Sequence, residues 1–111
     1  MELKPAIAAF AALAHDTRLD VFRLLIRQGK DGMAAGDIAD KLDIKQNTMS
    51  ANLAVLARAG LIQAKRDGRS IVYSADYDGV RGLLGFLMED CCGGRPELCQ
   101  PANYKSKELI G

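Results

Sequence analysis

Gln46-Asn47-Thr48-Met49-Ser50-Ala51-Asn52-Leu53-Ala54-Val55-Leu56-Ala57-Arg58-Ala59-Gly60 is the stretch on which the fold turns. Met49, Leu53 and Leu56 recur at helical spacing and predict one buried stripe, closed by Ala59-Gly60. The other face carries Gln46, Asn47, Thr48, Ser50 and Asn52. Such short polar groups pair charge poorly on a solvated surface but are good donors and acceptors for base edges and phosphates. Just upstream, Ala35, Ile38, Ala39 and Leu42 mark a shorter helix, and Asp43-Ile44-Lys45 leaves room only for a tight turn between the two. The pattern is helix, tight turn, helix.

On the N-terminal side, Leu3, Ile7, Phe10 and Ala14 keep helical spacing in an alanine-rich segment, the type of helix whose small side chains let another helix approach closely. His15-Asp16-Thr17 then starts a second helix, whose stripe is Leu19, Phe22, Leu25 and Ile26 and whose end is Gly29, before a loop from Lys30 to Met33. On the C-terminal side, Leu61 to Arg66 and Ser70 to Ala75 are strand-like runs joined around Asp67-Gly68, a hairpin signal. Lys65, Arg66 and Arg69 crowd its tip. From Tyr77 to Met88 the chain reads as helix again. Helices followed by a basic-tipped hairpin give a mostly α fold with a β-hairpin wing, the order of a winged helix-turn-helix. In that arrangement the second helix of the pair enters the major groove and the hairpin reaches the flanking backbone.

At 111 residues one domain is expected, with a core modest for a monomer and improved by a partner subunit. Residues 1–92 are read as the DNA-binding and dimerisation domain, and 93–111, rich in Gly, Pro and polar residues, as a flexible tail. Residues 1–15 lack the basic start and apolar stretch of a secretory signal, and no run is long enough to span a membrane, so a cytoplasmic protein is expected. The formal net charge is +1, which argues against indiscriminate coating of nucleic acid. Yet Lys45, Arg58, Lys65, Arg66 and Arg69 face only Asp67 between positions 45 and 75, a local +4 that leaves −3 for the rest. A basic segment in a neutral domain is either a nucleic-acid footprint or an ordinary solvated face.

All three cysteines lie within nine positions, Cys91, Cys92 and Cys99. Three clustered thiolates suit a soft, thiol-seeking ion. Cys91 also falls at helical spacing behind Val80, Leu83, Leu84, Leu87 and Met88, so it has a second reading as a core residue. A disulfide is the third reading, one that reducing cytosol and an odd cysteine count disfavour. His15, the only histidine, sits at a helix start, which points to a structural or interface role rather than to a catalytic base. Asp76 and Asp78 fit the N-terminal end of a helix on dipole grounds alone.

Three stretches together resemble the ArsR/SmtB family of metal-responsive repressors: Leu13-Ala14-His15-Asp16-Thr17-Arg18-Leu19, Gln46 to Leu53 leading to Ala59-Gly60-Leu61-Ile62, and Arg66-Asp67-Gly68-Arg69. The ending Cys91-Cys92-Gly93-Gly94 is similar to the arsenic-responsive branch. The resemblance implies a homodimer paired through its first and last helices, bound to a palindromic operator and released by its inducer. Many relatives carry a Cys-x-Cys arsenic site on the helix before the turn, where this chain has Ala35, Gly36, Asp37 and Ile38. Zinc-sensing relatives use histidines and carboxylates on the last helix, and Tyr77 to Asp90 contains no histidine.

Thiol chemistry favours arsenite independently. Three hydroxyls of the neutral oxyacid exchange with three thiols to give a neutral tris-thiolate and three waters, whereas a structural zinc site normally takes four ligands. The expected function is an operator-binding repressor released by trivalent arsenic or antimony at Cys91, Cys92 and Cys99, with no constitutive cofactor. Its expected DNA contacts are Lys45, Gln46, Asn47, Thr48, Ser50, Asn52, Lys65, Arg66 and Arg69. The alternative is a thiol-redox or reactive-sulfur sensor of the same fold, since adjacent cysteines oxidise. An enzyme is not expected: no histidine neighbours the thiols, and cysteine catalysis needs a positioned base.

Overall fold

Eight elements follow one another in a computed structural model that describes residues 2–88. They are α1 (Leu3–Leu13), α2 (Asp16–Gln28), β1 (Met33–Ala34), α3 (Ala35–Leu42), α4 (Gln46–Arg58), β2 (Ile62–Asp67), β3 (Ser70–Ala75) and α5 (Tyr77–Met88). Cys91, Cys92 and Cys99 and the tail 93–111 lie outside the described residues.

The core gathers around α4. Met49, Leu53 and Leu56 are fully buried against Val21, Leu24 and Leu25 of α2, Ile38 and Ala39 of α3, and Leu61 and Ile62 at the start of the wing. Two expected stripes differ. On α1 the buried side is Ala6, Ala9 and Ala12, while Leu3 and Ile7 are 61% and 56% exposed and Phe10 also faces outward. Small side chains bring α1 close to α2 and α4, and the large ones are left on the far side. On α2, Leu25 is buried and Phe22 packs at the core edge as expected, but Val21 and Leu24 take the places assigned to Leu19 and Ile26, which are exposed. The core therefore meets α2 along a stripe rotated from the expected one.

Local chemistry sets the ends of the helices. Asp43 closes α3 in the left-handed region (φ 55°), a conformation Asp tolerates better than most residues, and the Ile44 N–H reaches the Ala39 carbonyl at 2.9 Å. After α4, Gly60 has φ 80°, and the N–H groups of Gly60 and Leu61 bond the carbonyls of Ala57 and Leu56, both at 3.1 Å. That double bond pattern is a Schellman close, which needs glycine at its left-handed position. Asp76 starts α5: its side chain accepts from the Gly79 N–H at 3.1 Å, and its own N–H donates to the Leu61 carbonyl at 2.9 Å.

The sheet has three antiparallel strands in the order β1-β3-β2, where only a two-stranded hairpin was expected. Met33, expected to end a loop, and Ala34, just before the expected helix, pair with Tyr73 and Val72. Two residues are too few for any periodicity to announce a strand. The hairpin register runs from Ile62↔Ala75 to Asp67↔Ser70, so the turn is Gly68-Arg69, one residue later than expected. Gly68 alone of the two has positive φ, the pattern of a II′ turn. The whole is a winged helix-turn-helix. Among the described residues no helix is long and apolar enough to cross a membrane.

Candidate nucleic-acid interface

The two faces of α4 are physically distinct. Its inner side chains are locked in the core, so the backbone is fixed and the outer side chains project from a rigid rod. Lys45, Gln46, Asn47, Thr48 and Ser50 are all exposed at its N-terminal end. No acid lies in the first turn, so the positive end of the helix dipole is not countered there and favours phosphate oxygens. The Asn47 side-chain oxygen accepts from the Thr48 N–H at 2.8 Å, which orients its amide group.

Asn52 does not belong to this exposed set. It was expected on the polar face, but it is only 8% exposed and its amide is used internally. Its Nδ2 donates to the Thr48 carbonyl at 3.1 Å, and its Oδ1 accepts from Nη1 of Arg18 at 3.3 Å. Six positions after Gln46, it has turned around the helix far enough to meet α2 rather than solvent. Arg18 is the residue that sequence reasoning missed. It lay inside a family-like motif without an assigned role, and only the tertiary contact to Asn52 gives it one.

The three wing cations are exposed but do not share a face. Arg66 pairs with Ile71 and Lys65 with Val72, and successive strand residues point to opposite sides of the sheet. Arg69, in the turn, lines an open groove with Ile71, Gly36 and Gln46, which joins the wing tip to the start of the recognition helix. Lys65 and Arg66 both reach a separate groove beside Lys30 and Asp31. The structure thus brings Gln46 and Arg69 together, and neither Lys65 nor Arg66 lines that groove.

The remaining sequence candidates take structural places. His15 precedes α2, with Nδ1 3.5 Å from the Asp16 carboxylate. Asp76 caps α5, and Asp78 pairs with Arg81 one turn on. Among the described residues no group of three or more His, Cys, Asp or Glu side chains is placed to hold a metal ion.

Comparison with known proteins agrees with this geometry. A helix-turn-helix domain family matches residues 13–63, which span α2 to the start of β2. An uncharacterized HTH-type transcriptional regulator of Bacillus subtilis, YbzH, is 33% identical over 73% of this chain and 93% of its own length. Three further curated relatives are longer, and the match spans 64% to 66% of their length. Among solved structures, the homodimeric winged helix-turn-helix DNA-binding domain of Mb0332 from Mycobacterium bovis, a possible ArsR-family regulator, is 30% identical. The match covers 78% of this chain and 81% of that one, with a TM-score of 0.64. A possible transcriptional regulator for arsenical resistance is 27% identical, covers 69% of this chain and 77% of its own, and has a TM-score of 0.60.

Proposed function

The chain belongs to the ArsR family of winged helix-turn-helix transcriptional regulators, and on that premise we propose that it is a homodimeric, cytoplasmic repressor induced by trivalent arsenic or antimony. One observation carries the DNA half of the reading: Gln46, Asn47, Thr48 and Ser50 stand exposed on a helix whose opposite side is fully buried, with Arg69 beside Gln46 across a shared groove. In this reading α4 lies in the major groove, the wing follows the backbone, and Lys45 and the first-turn N–H groups take phosphates.

The dimer is supported by large apolar side chains left outside on two helices. Leu3, Ile7 and Phe10 of α1 and Leu84, Leu87 and Met88 of α5 are exposed in the single chain, and a second copy pairing through both helices covers them. A two-fold dimer then presents two recognition helices to major grooves roughly 34 Å apart.

The inducer reading rests on Cys91, Cys92 and Cys99, which follow α5 in the sequence. Three thiols match the three bonds of trivalent arsenic. The exchange leaves net charge almost unchanged, so it acts by geometry at the end of α5 rather than by repelling DNA. Titrating the protein bound to a duplex it has itself selected tests this. Release is expected with arsenite and antimonite and not with zinc. Release by peroxide but not by arsenite would transfer the reading to a thiol-redox sensor of the same fold.

A further inference from the structure

We infer that Arg18 and Asn52 are positioning residues for DNA recognition: together they tie the recognition helix to the C-terminal end of α1, the helix proposed to pair the subunits. The inference rests on the proposed operator-binding reading and adds two residues that touch no DNA in it. Arg18, in the first turn of α2, donates from Nε to the Ala12 carbonyl of α1 at 2.6 Å and from Nη1 to Asn52 Oδ1 at 3.3 Å. Asn52 in turn donates to the Thr48 carbonyl at 3.1 Å, within the turn of α4 that carries the exposed polar groups. One side chain thereby links three helices.

Its chemistry suits that task. The guanidinium is planar and holds its donors in a fixed fork, so bonds from Nε and Nη1 set the direction from Ala12 to Asn52 as well as the distance. A lysine has three donors on one freely rotating nitrogen and lacks the two separated donors that fix this direction. Both acceptors are uncharged, and among the described residues Arg18 is in no ion pair. Asn52 is buried enough that an unmet polar group there carries a desolvation penalty, which keeps the side chain facing Arg18 instead of solvent. The elements joined are those that have to be registered: α1 sets where the subunit axis lies, and Thr48 belongs to the end of α4 that meets the bases. If this link loosens, the helix still folds but its angle within the dimer is less well fixed, so the penalty falls on sequence-specific contacts rather than on phosphate attraction.

The test uses the full chain and two DNAs, a duplex enriched from a random pool by the wild-type protein and a pooled random duplex of equal length. For Arg18→Lys and Asn52→Ala, affinity for the enriched duplex is expected to fall about tenfold, or ~1.4 kcal/mol. Affinity for random duplex should stay within about twofold, and the salt dependence should be unchanged. The double variant should lose little more than either single one, as expected for two members of one link. Sedimentation and thermal melting establish that each variant is a folded dimer; should Asn52→Ala not fold, Arg18→Lys decides alone. Unchanged selectivity overturns the inference. So does an equal loss on both DNAs with a shallower salt slope, which would make Arg18 a phosphate contact. A wild-type chain that enriches no sequence removes the proposed function, and this inference with it.

Discussion

Replacing Gly79 by alanine is expected to destabilise the protein, although helix propensity alone predicts the opposite. Gly79 lies in the first turn of α5, and a Cβ built there would stand 1.9 Å from the Gly60 carbonyl oxygen, in the turn that ends the recognition helix. Ordinary contact begins at about 3.5 Å, so one backbone must retreat by more than about 1 Å. Retreat also stretches the Asp76 N–H bond to the Leu61 carbonyl, now 2.9 Å. Overpacking costs about 1–3 kcal/mol and a weakened hydrogen bond up to about 1 kcal/mol, against a helical gain of up to about 1 kcal/mol. The net is a loss of roughly 2 kcal/mol, or about 10 °C in Tm for a domain of this size. Gly85, on the same helix, is the control, because nothing lies within 4 Å of its Cβ position. Gly85→Ala should gain about 0.5–1 kcal/mol. Urea denaturation and thermal melting at one protein concentration measure both. A Gly79→Ala protein as stable as wild type would refute the reasoning, since the close seat of α5 on Gly60 would then not be a feature of the folded state.

Replacing Gln46 or Ser50 by alanine should relax sequence preference, with a loss of about 1–3 kcal/mol per good base contact, measured by competition between the selected duplex and its single-base variants. Replacing Arg66 or Arg69 should weaken all sequences alike and lower the salt slope by about one for each phosphate no longer neutralised. Lys65→Ala should matter less, because the strand register puts Lys65 on the face opposite Arg66 and Ile71, and Ile71 lines the groove that Arg69 shares with Gln46. Full affinity after removal of both arginines would exclude the wing from the interface. Leu84→Asp, at a side chain 53% exposed in the single chain, should give monomers or insoluble protein in sedimentation. A soluble Leu84→Asp dimer with unchanged DNA affinity would place the subunit contact elsewhere. Cys99→Ser should bind DNA normally and fail to release it with arsenite; release at the wild-type arsenite concentration would mean that two thiols suffice.

The sequence is most legible where one period runs uninterrupted to a clear stop. Helix α2 ends at Gly29 and α4 at Gly60 because both glycines hold backbone angles that other residues resist, and those stops could be read without coordinates. Asp67-Gly68 announced the hairpin for the same reason. Which side of a helix meets the core was less legible. Alanine adds little to an apolar pattern, so the Ala6, Ala9 and Ala12 face of α1 is outweighed in the sequence by Leu3, Ile7 and Phe10, which face away from the core. Asn52 was misplaced because a polar residue among polar neighbours looks solvated; its partner, Arg18, is 34 positions away and no local pattern connects them. The division of the wing was available in principle, since alternation alone sends Lys65 and Arg66 to opposite faces. Strand β1 was not, because its two residues are recruited by β3 and have no signal of their own.

The recognition helix is held from two directions, and both ties come from helices with exposed apolar faces. Arg18 joins it to α1 through Asn52, and the first turn of α5 rests on its closing turn through Gly79 and Asp76. On the proposed reading those helices form the subunit interface, so the placement of two recognition helices follows from how α1 and α5 pair. On the same reading, an inducer that changes almost no charge would act through such a linkage, with α5, about 18 Å long at 1.5 Å per residue, as the lever between its far end and the turn at Gly60. Linkage then requires DNA to weaken inducer binding by the same factor that inducer weakens DNA binding. The seat at Gly60 is where this coupling can be examined without any inducer. Well below its melting temperature, Gly79→Ala should bind the selected duplex more weakly than wild type, because displacing α5 moves the end of α4. Undiminished DNA affinity in a destabilised but folded Gly79→Ala dimer would show that the α5 seat supports the fold without setting the recognition helix.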